Sequence, residues 1–251
     1  MRTMIRPDKR SVVVSAILLT MPSVIMWFEC VRSTRAVRAC LVFHLFMAIA
    51  LVFHRGGEVR RSGAADPRPV GSFAAFLAIG LALYLCCRAA SSPGEYLGVG
   101  LESFRDTLDA YGVDDPFKMA VFAVYFSTIN PILEELFWRT VLRARLARDY
   151  DAKQAPPFFL GSPSDALAAS AYAAYHAIII ANLMPPWFNL GVAFPFLVAF
   201  GQALAFVVDR KGLSTAIALH AALDLSAACW IYDLRFGCLD PFFAAAVMPT
   251  P

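Results

Sequence analysis

The sequence predicts an all-α protein: a polytopic membrane helical bundle of about seven transmembrane helices, with one interfacial amphipathic helix. Three observations carry that prediction. Of 251 residues, 59% are hydrophobic and 16% charged, and the mean hydropathy is +0.60; charged residues usually approach about a quarter of a soluble domain. Apolar runs of spanning length recur along the whole chain, so 1–251 reads as a single membrane domain. One run ends in Asn130, Pro131, Ile132, Leu133, Glu134, Glu135, Leu136, Phe137, Trp138 and Arg139, with two adjacent carboxylates. A single charge at the bilayer centre already costs about 2.5–3.5 kcal/mol.

The elements follow in order. Residues 1–10 are short and basic, and 11–28 make the first span. No small-x-small cleavage site follows it, so it is expected to be retained rather than cleaved. Residues 37–53 make the second span, whose lone His44 reads as a packed helix-interface residue. A polar loop over 55–69 leads to the third span, 70–87. In 93–115, Leu97, Leu101, Phe104, Leu108 and Tyr111 recur at threes and fours among acidic residues. That pattern predicts an amphipathic helix too polar to span.

Asp115 and Pro116 are an N-cap and a first helical residue for the fourth span. It runs through Glu134, Glu135 and Arg139 to about Arg148, where arginines suit a helix C-terminus. Pro131 predicts a kink just before the carboxylates. Ser162, Pro163, Ser164 and Asp165 start the fifth span, which carries Tyr172 and His176 and stops before Met184, Pro185 and Pro186. The sixth covers 188–208, with a kink expected at Pro195. Gly212 and Ser214 open the seventh, which carries His220 and Asp224 and ends near Tyr232.

Lys and Arg on the N-terminus and on the second, fourth and sixth connections outnumber those on the other side by about two to one. The N-terminus is therefore expected in the cytoplasm, of a plasma or cytoplasmic membrane. Arg32, Arg35 and Arg38 lie on the wrong side for that rule. Cys30, Cys40, Cys86, Cys87, Cys229 and Cys238 form no C-x-x-C pair and read as small buried apolar residues. Nothing reads as a phosphate loop or a nucleic-acid motif. The expected partners are membrane lipids and a membrane-associated peptide or protein, with no nucleic acid.

Three spans carry ionisable groups. Glu135 and Arg139 are four apart and can pair, which leaves Glu134 pointing about 100° away. At roughly 1.5 Å per residue from the cytoplasmic edge, Glu134, His176 and Asp224 fall at one depth, about 15–17 Å. His220 and Asp224 share a helix face. Such groups can hydrolyse in two ways. A carboxylate can take a proton from water while donors stabilise the oxyanion. Alternatively, histidines and a carboxylate can hold Zn²⁺ and make hydroxide. H-E-x-x-H and G-x-S-x-G are both absent. An ion-coupled transporter would also bury such groups, although no repeat is visible. A non-catalytic membrane scaffold is the third reading.

Glu134, Glu135 and Arg139, then Tyr172 with His176, then His220 with Asp224, each set on its own helix, resemble the CPBP family. These are the CAAX prenyl endopeptidases and their bacterial Abi and bacteriocin-processing relatives, and the similarity covers 117–232. It implies an intramembrane endopeptidase without a metal cofactor, Zn²⁺ being the alternative. Glu134 matches the catalytic glutamate that activates water with His176. His220 and Asp224 match the oxyanion-stabilising pair, and Glu135 and Arg139 the supporting residues. Tyr172 stands where the family usually has Phe. An ionised Asp224 would repel an oxyanion, so it must be protonated, turn to orient His220, or bind a metal.

Overall fold

The computed structural model describes residues 9–32, 36–53, 69–91, 95–96, 99–150 and 162–239. The basic N-terminus, the polar loop after the second span and the chain beyond 239 lie outside the described residues.

The helices form in the order expected. α1 (Lys9–Met26) runs on into a π-helical turn, Trp27–Arg32. α2 is Ala36–Phe53 and α3 is Pro69–Ala89. A two-residue antiparallel ladder pairs Glu95 with Gly100 and Tyr96 with Val99, and α4 (Leu101–Ala110) follows it. The amphipathic segment is thus shorter than its periodicity suggests. Gly94, Gly98 and Gly100 disfavour helix over the first part. α4 still buries the expected stripe, Leu101, Phe104 and Leu108, against Tyr84, Tyr96 and Leu234.

α5 (Pro116–Glu135), a π-helical turn (Leu136–Leu142) and α6 (Arg143–Tyr150) make one continuous rod. Asp115 caps it by accepting from the backbone N–H of Phe117 and Lys118, both at 2.9 Å. The departure from α-helical geometry falls directly after the carboxylates rather than before them. α5 stays α-helical through Pro131, and the wide π turn comes directly after Glu135. π turns mark places where a helix accommodates an extra residue, often at functional sites.

α7 (Pro163–Ile180) begins at a capping box in which Ser162 and Asp165 satisfy each other's backbone N–H. α8 (Pro186–Phe188) and a π turn (Asn189–Ala193) lead into α9 (Phe194–Lys211), so the irregularity expected at Pro195 lies just before it. Gly212, at φ 91°, allows the abrupt reversal into α10 (Leu213–Phe236). Gly237 ends α10 in the left-handed region, one turn later than expected.

Among the described residues, five helical stretches are long and apolar enough to cross a membrane: Val12–Val31, Pro69–Ala89, Pro116–Ala147, Pro186–Lys211 and Leu213–Phe236. The other two expected spans differ for physical reasons. The apolar part of α2, Arg38–Phe53, is shorter. α7 carries Ser164, Asp165, Ser170, Tyr172, Tyr175 and His176 among its alanines, which lowers its mean hydropathy, and it packs against α1, α6 and α9. The outer surface is apolar, with Leu45, Phe53, Val70, Phe117, Leu190 and Phe206 well exposed. This is an integral membrane protein with an all-α bundle. Of the six cysteines only Cys30 is buried; Cys86, Cys229 and Cys238 are exposed. Burial is not forced on apolar residues where the surrounding solvent is itself apolar.

α10 lies against α3, α5 and α9, and α7 against α9 and α1. Trp138, Tyr172 and Tyr175 fill the space between α7 and the π turn: Trp138 stacks on Tyr175 at 5.7 Å and meets Tyr172 edge-on at 5.9 Å. Arg143 ties the end of this assembly together by pairing with Asp165 of α7 and Asp209 of α9 at 2.5 and 2.6 Å. Of the expected wrong-side arginines, Arg38 pairs with Glu29 at 2.7 Å.

Candidate active site

The last turn of α5 carries both glutamates into the bundle, where neither has meaningful exposure. Their surroundings differ. Glu135 has both oxygens engaged: Oε2 accepts from Arg139 Nε at 3.0 Å, and Oε1 accepts from His220 Nδ1 at 2.9 Å. Glu134 is held at one oxygen. Oε1 is bonded to the Tyr175 hydroxyl at 2.5 Å. Oε2 is buried and makes no hydrogen bond among the described residues; it faces His220 Nε2 at 3.8 Å. The pairing expected from the i,i+4 spacing is present. Arg139 also lies over the Tyr172 ring, 5.6 Å from its centroid.

The hydrogen-bond inventory fixes His220. A carboxylate paired with Arg139 only accepts, so Nδ1 carries a proton and the Nε2 edge faces inward. Nε2 lies 3.3 Å from the Tyr172 hydroxyl and 3.7 Å from Asp224 Oδ1. The hydroxyl that distinguishes Tyr172 from the family's Phe thus adds a polar contact on His220. Glu134 Oε2, His220 Nε2 and Asp224 Oδ1 converge from two helices. Of the groups placed at one depth by helix length, Glu134 and Asp224 are brought together here, with His220 between them.

Asp224 belongs to a second chain of bonds. Asn130 Nδ2 donates to its Oδ2 at 2.9 Å. Asn130 Oδ1 meets His44 Nε2 at 2.7 Å, and His44 Nδ1 meets the Tyr125 hydroxyl at 2.5 Å. Only one polarity satisfies every member with a neutral imidazole: Tyr125 O–H to Nδ1, Nε2–H to Asn130 Oδ1, and Nδ2–H to Asp224. Asp224 Oδ1 is therefore the oxygen left for other work. His44 sits at a helix interface as expected, but both its nitrogens are bonded.

His176 is placed differently from the expectation that it shares a water with Glu134. Its Nδ1 bonds the Tyr172 carbonyl oxygen at 2.9 Å, and its Nε2 meets the Tyr175 hydroxyl at 3.0 Å. Tyr175 stands between His176 and Glu134. Tyr175 and Tyr125 were not singled out by the sequence, and Asn130 and His44 were given no role in the site. For Tyr175 one signal exists: it is three residues after Tyr172, on the same helix face, in an otherwise alanine-rich stretch.

Among the described residues, no three His, Cys, Asp or Glu side chains are arranged to hold a metal ion. The inward histidine nitrogens meet tyrosine hydroxyls instead.

Residues 116–226 match the family model described as "Type II CAAX prenyl endopeptidase Rce1-like". Neither a curated protein nor a solved structure matches the chain significantly.

Proposed function

Because residues 116–226 match the model of the Rce1-like type II CAAX prenyl endopeptidases, we propose that this chain is an intramembrane endopeptidase of that kind, using a Glu134-activated water. Its proposed substrate is a lipidated or otherwise membrane-associated protein or peptide. One observation carries the mechanism: Glu134 Oε2 is buried, unbonded and aimed at His220 Nε2 across 3.8 Å. A carboxylate oxygen so placed can take a proton from water, and desolvation strengthens every interaction around it.

The steps balance without further reagents. Water oxygen attacks the scissile carbonyl carbon while Glu134 Oε2 takes one water proton. The oxyanion that forms is met by donors on α10. His220 donates through Nε2 when its ring is doubly protonated, with Glu135 holding Nδ1–H. Asp224 donates when it carries a proton, which the Asn130 bond on Oδ2 assigns to Oδ1. Glu134 then passes its proton to the departing amine nitrogen as the C–N bond breaks. Arg139 keeps Glu135 available to orient His220.

The proposed orientation follows the basic-residue bias, with a cytoplasmic N-terminus. The test uses purified protein in nanodiscs and two internally quenched peptides, one with a farnesylated Cys-a-a-x C-terminus and one without the lipid. Cleavage by the wild type, none by Glu134→Gln, and activity that survives exhaustive chelation are expected. Cleavage by folded Glu134→Gln would overturn the role of Glu134. Loss on chelation with stoichiometric recovery on adding Zn²⁺ would replace the mechanism with a metallopeptidase. No cleavage of either peptide would favour the carrier or scaffold reading.

A further inference from the structure

We propose that the Tyr175 hydroxyl relays a proton between Glu134 and His176, and that these three groups together hold one proton more than an ionised Glu134 and a neutral His176 would. The inference deepens the endopeptidase reading and rests on it for its catalytic part only. It starts from a count of protons. The Tyr172 carbonyl oxygen can only accept, so His176 Nδ1 carries a proton and, in a neutral ring, Nε2 is bare. A phenol has one proton. It lies 2.5 Å from Glu134 Oε1 and 3.0 Å from His176 Nε2. With Glu134 ionised and His176 neutral, two acceptors compete for that proton, and one buried contact is left lone pair against lone pair.

One added proton satisfies every contact, in either of two ways. In the first, Glu134 O–H donates to the Tyr175 oxygen and Tyr175 O–H donates to His176 Nε2. In the second, His176 Nε2–H donates to the Tyr175 oxygen and Tyr175 O–H donates to ionised Glu134. The forms interconvert when two protons shift one bond each, with no net change in the trio. In the first, Glu134 is a resting acid. In the second it is a base, with Oε2 directed at the site. The shift therefore arms Glu134 without a proton crossing the bundle.

Charges around the trio are those of Glu135, Arg139, His220 and Asp224. Glu135 and Arg139 are engaged with each other. Packing holds the phenol in place. The Tyr175 ring stacks on Trp138, with planes 2° apart, and its centroid lies 4.9 Å from that of Phe43. Tyr175 is 1% exposed. A phenylalanine would keep those ring contacts and lose the relay together with the two hydrogen bonds that form it.

Two measurements test this. The first needs no substrate. Infrared difference spectra of wild type against Glu134→Gln, together with ¹⁵N-NMR of histidine-labelled protein assigned with His176→Gln, locate the proton. A protonated-carboxyl band or a doubly protonated His176 is expected, and Tyr175→Phe should displace that signal. An ionised Glu134 beside a neutral His176 would overturn the shared proton. The second follows cleavage of the farnesylated peptide in H₂O–D₂O mixtures. Tyr175→Phe should lose at least about tenfold in kcat with KM nearly unchanged, within the range of proton-transfer catalysis. The curved proton inventory expected of the wild type should become linear. Wild-type kcat with an unchanged inventory in folded Tyr175→Phe would overturn the relay, while a dead Glu134→Gln would leave the endopeptidase reading intact. If the wild type does not cleave the peptide, the endopeptidase reading fails, and the spectra still decide the shared proton.

Discussion

Arg139→Ala is the most informative single change to the stability of the site. The guanidinium bonds Glu135 at 3.0 Å, and the two side chains are 1% and 0% exposed. Removing one member of a buried ion pair costs about 3–5 kcal/mol, because the other charge stays buried. Glu135 would keep its bond from His220 Nδ1, which favours the lower end, about 3 kcal/mol. The lost contact with the Tyr172 face adds about 1 kcal/mol. The sum, about 4 kcal/mol, is roughly a thousandfold in the folded-to-unfolded ratio. Equilibrium unfolding by SDS titration in mixed micelles reads it directly. Combining Arg139→Ala with Glu135→Gln removes the stranded charge and still offers His220 an oxygen, so the double variant should recover about 2 kcal/mol. An Arg139→Ala protein as stable as wild type, or a double variant no better than the single, would show that Glu135 does not depend on Arg139.

Other outcomes are expected. Asp224→Asn should keep at least about a tenth of wild-type turnover, because Asn can accept from Asn130 and present its amide N–H where Oδ1 now stands; a folded but dead variant counts against Asp224 as a donor. Asn130→Ala strands Asp224 and His44 together, and should lower kcat about tenfold or more with little change in KM; an unchanged kcat would show that the bond on Oδ2 does not orient Asp224. Asp115 is held below the usual carboxylate range, first by the backbone N–H of Lys118. Its contribution to the cap is therefore full above the unfolded value and is lost as pH falls through the folded one. Hydrogen exchange at Phe117 and Lys118 should speed up on acidification in the wild type and be pH-independent beyond the intrinsic rate in Asp115→Ala. A reporter in the connection between α6 and α7 should be cytoplasmic, on the opposite side from one after α10; reporters on the same side would rule out an odd number of spans.

The fold and half of the site were legible because they are written in local spacing. Apolar length gives spans, and Asp115–Pro116 and Ser162–Asp165 give starts. The i,i+4 relation gives Glu135 with Arg139 and His220 with Asp224. What remained hidden spans helices: Tyr175 to Glu134 over 41 positions and His44 to Asn130 over 86. No periodicity encodes such pairs. Nor does Pro131 by itself locate an irregularity, since proline removes one backbone bond but does not dictate which turn departs from α-helical geometry. Here the π turn follows the carboxylates, at Leu136–Leu142.

Gly80 of α3 has a consequence for how a substrate arrives. A Cβ built on it would lie 2.3 Å from Ser226 Oγ and 2.8 Å from Ser226 Cβ on α10. On α9, a Cβ at Gly201 would lie 3.0 Å from that of Ala169 on α7. Backbones this close leave no width for an extended peptide, which needs roughly the 4.7–4.9 Å of a neighbouring strand even before its side chains are counted. At those levels a chain arriving sideways from the bilayer can pass between neither α3 and α10 nor α7 and α9. At the levels of Gly80 and Gly201 the two seams are closed to an extended peptide.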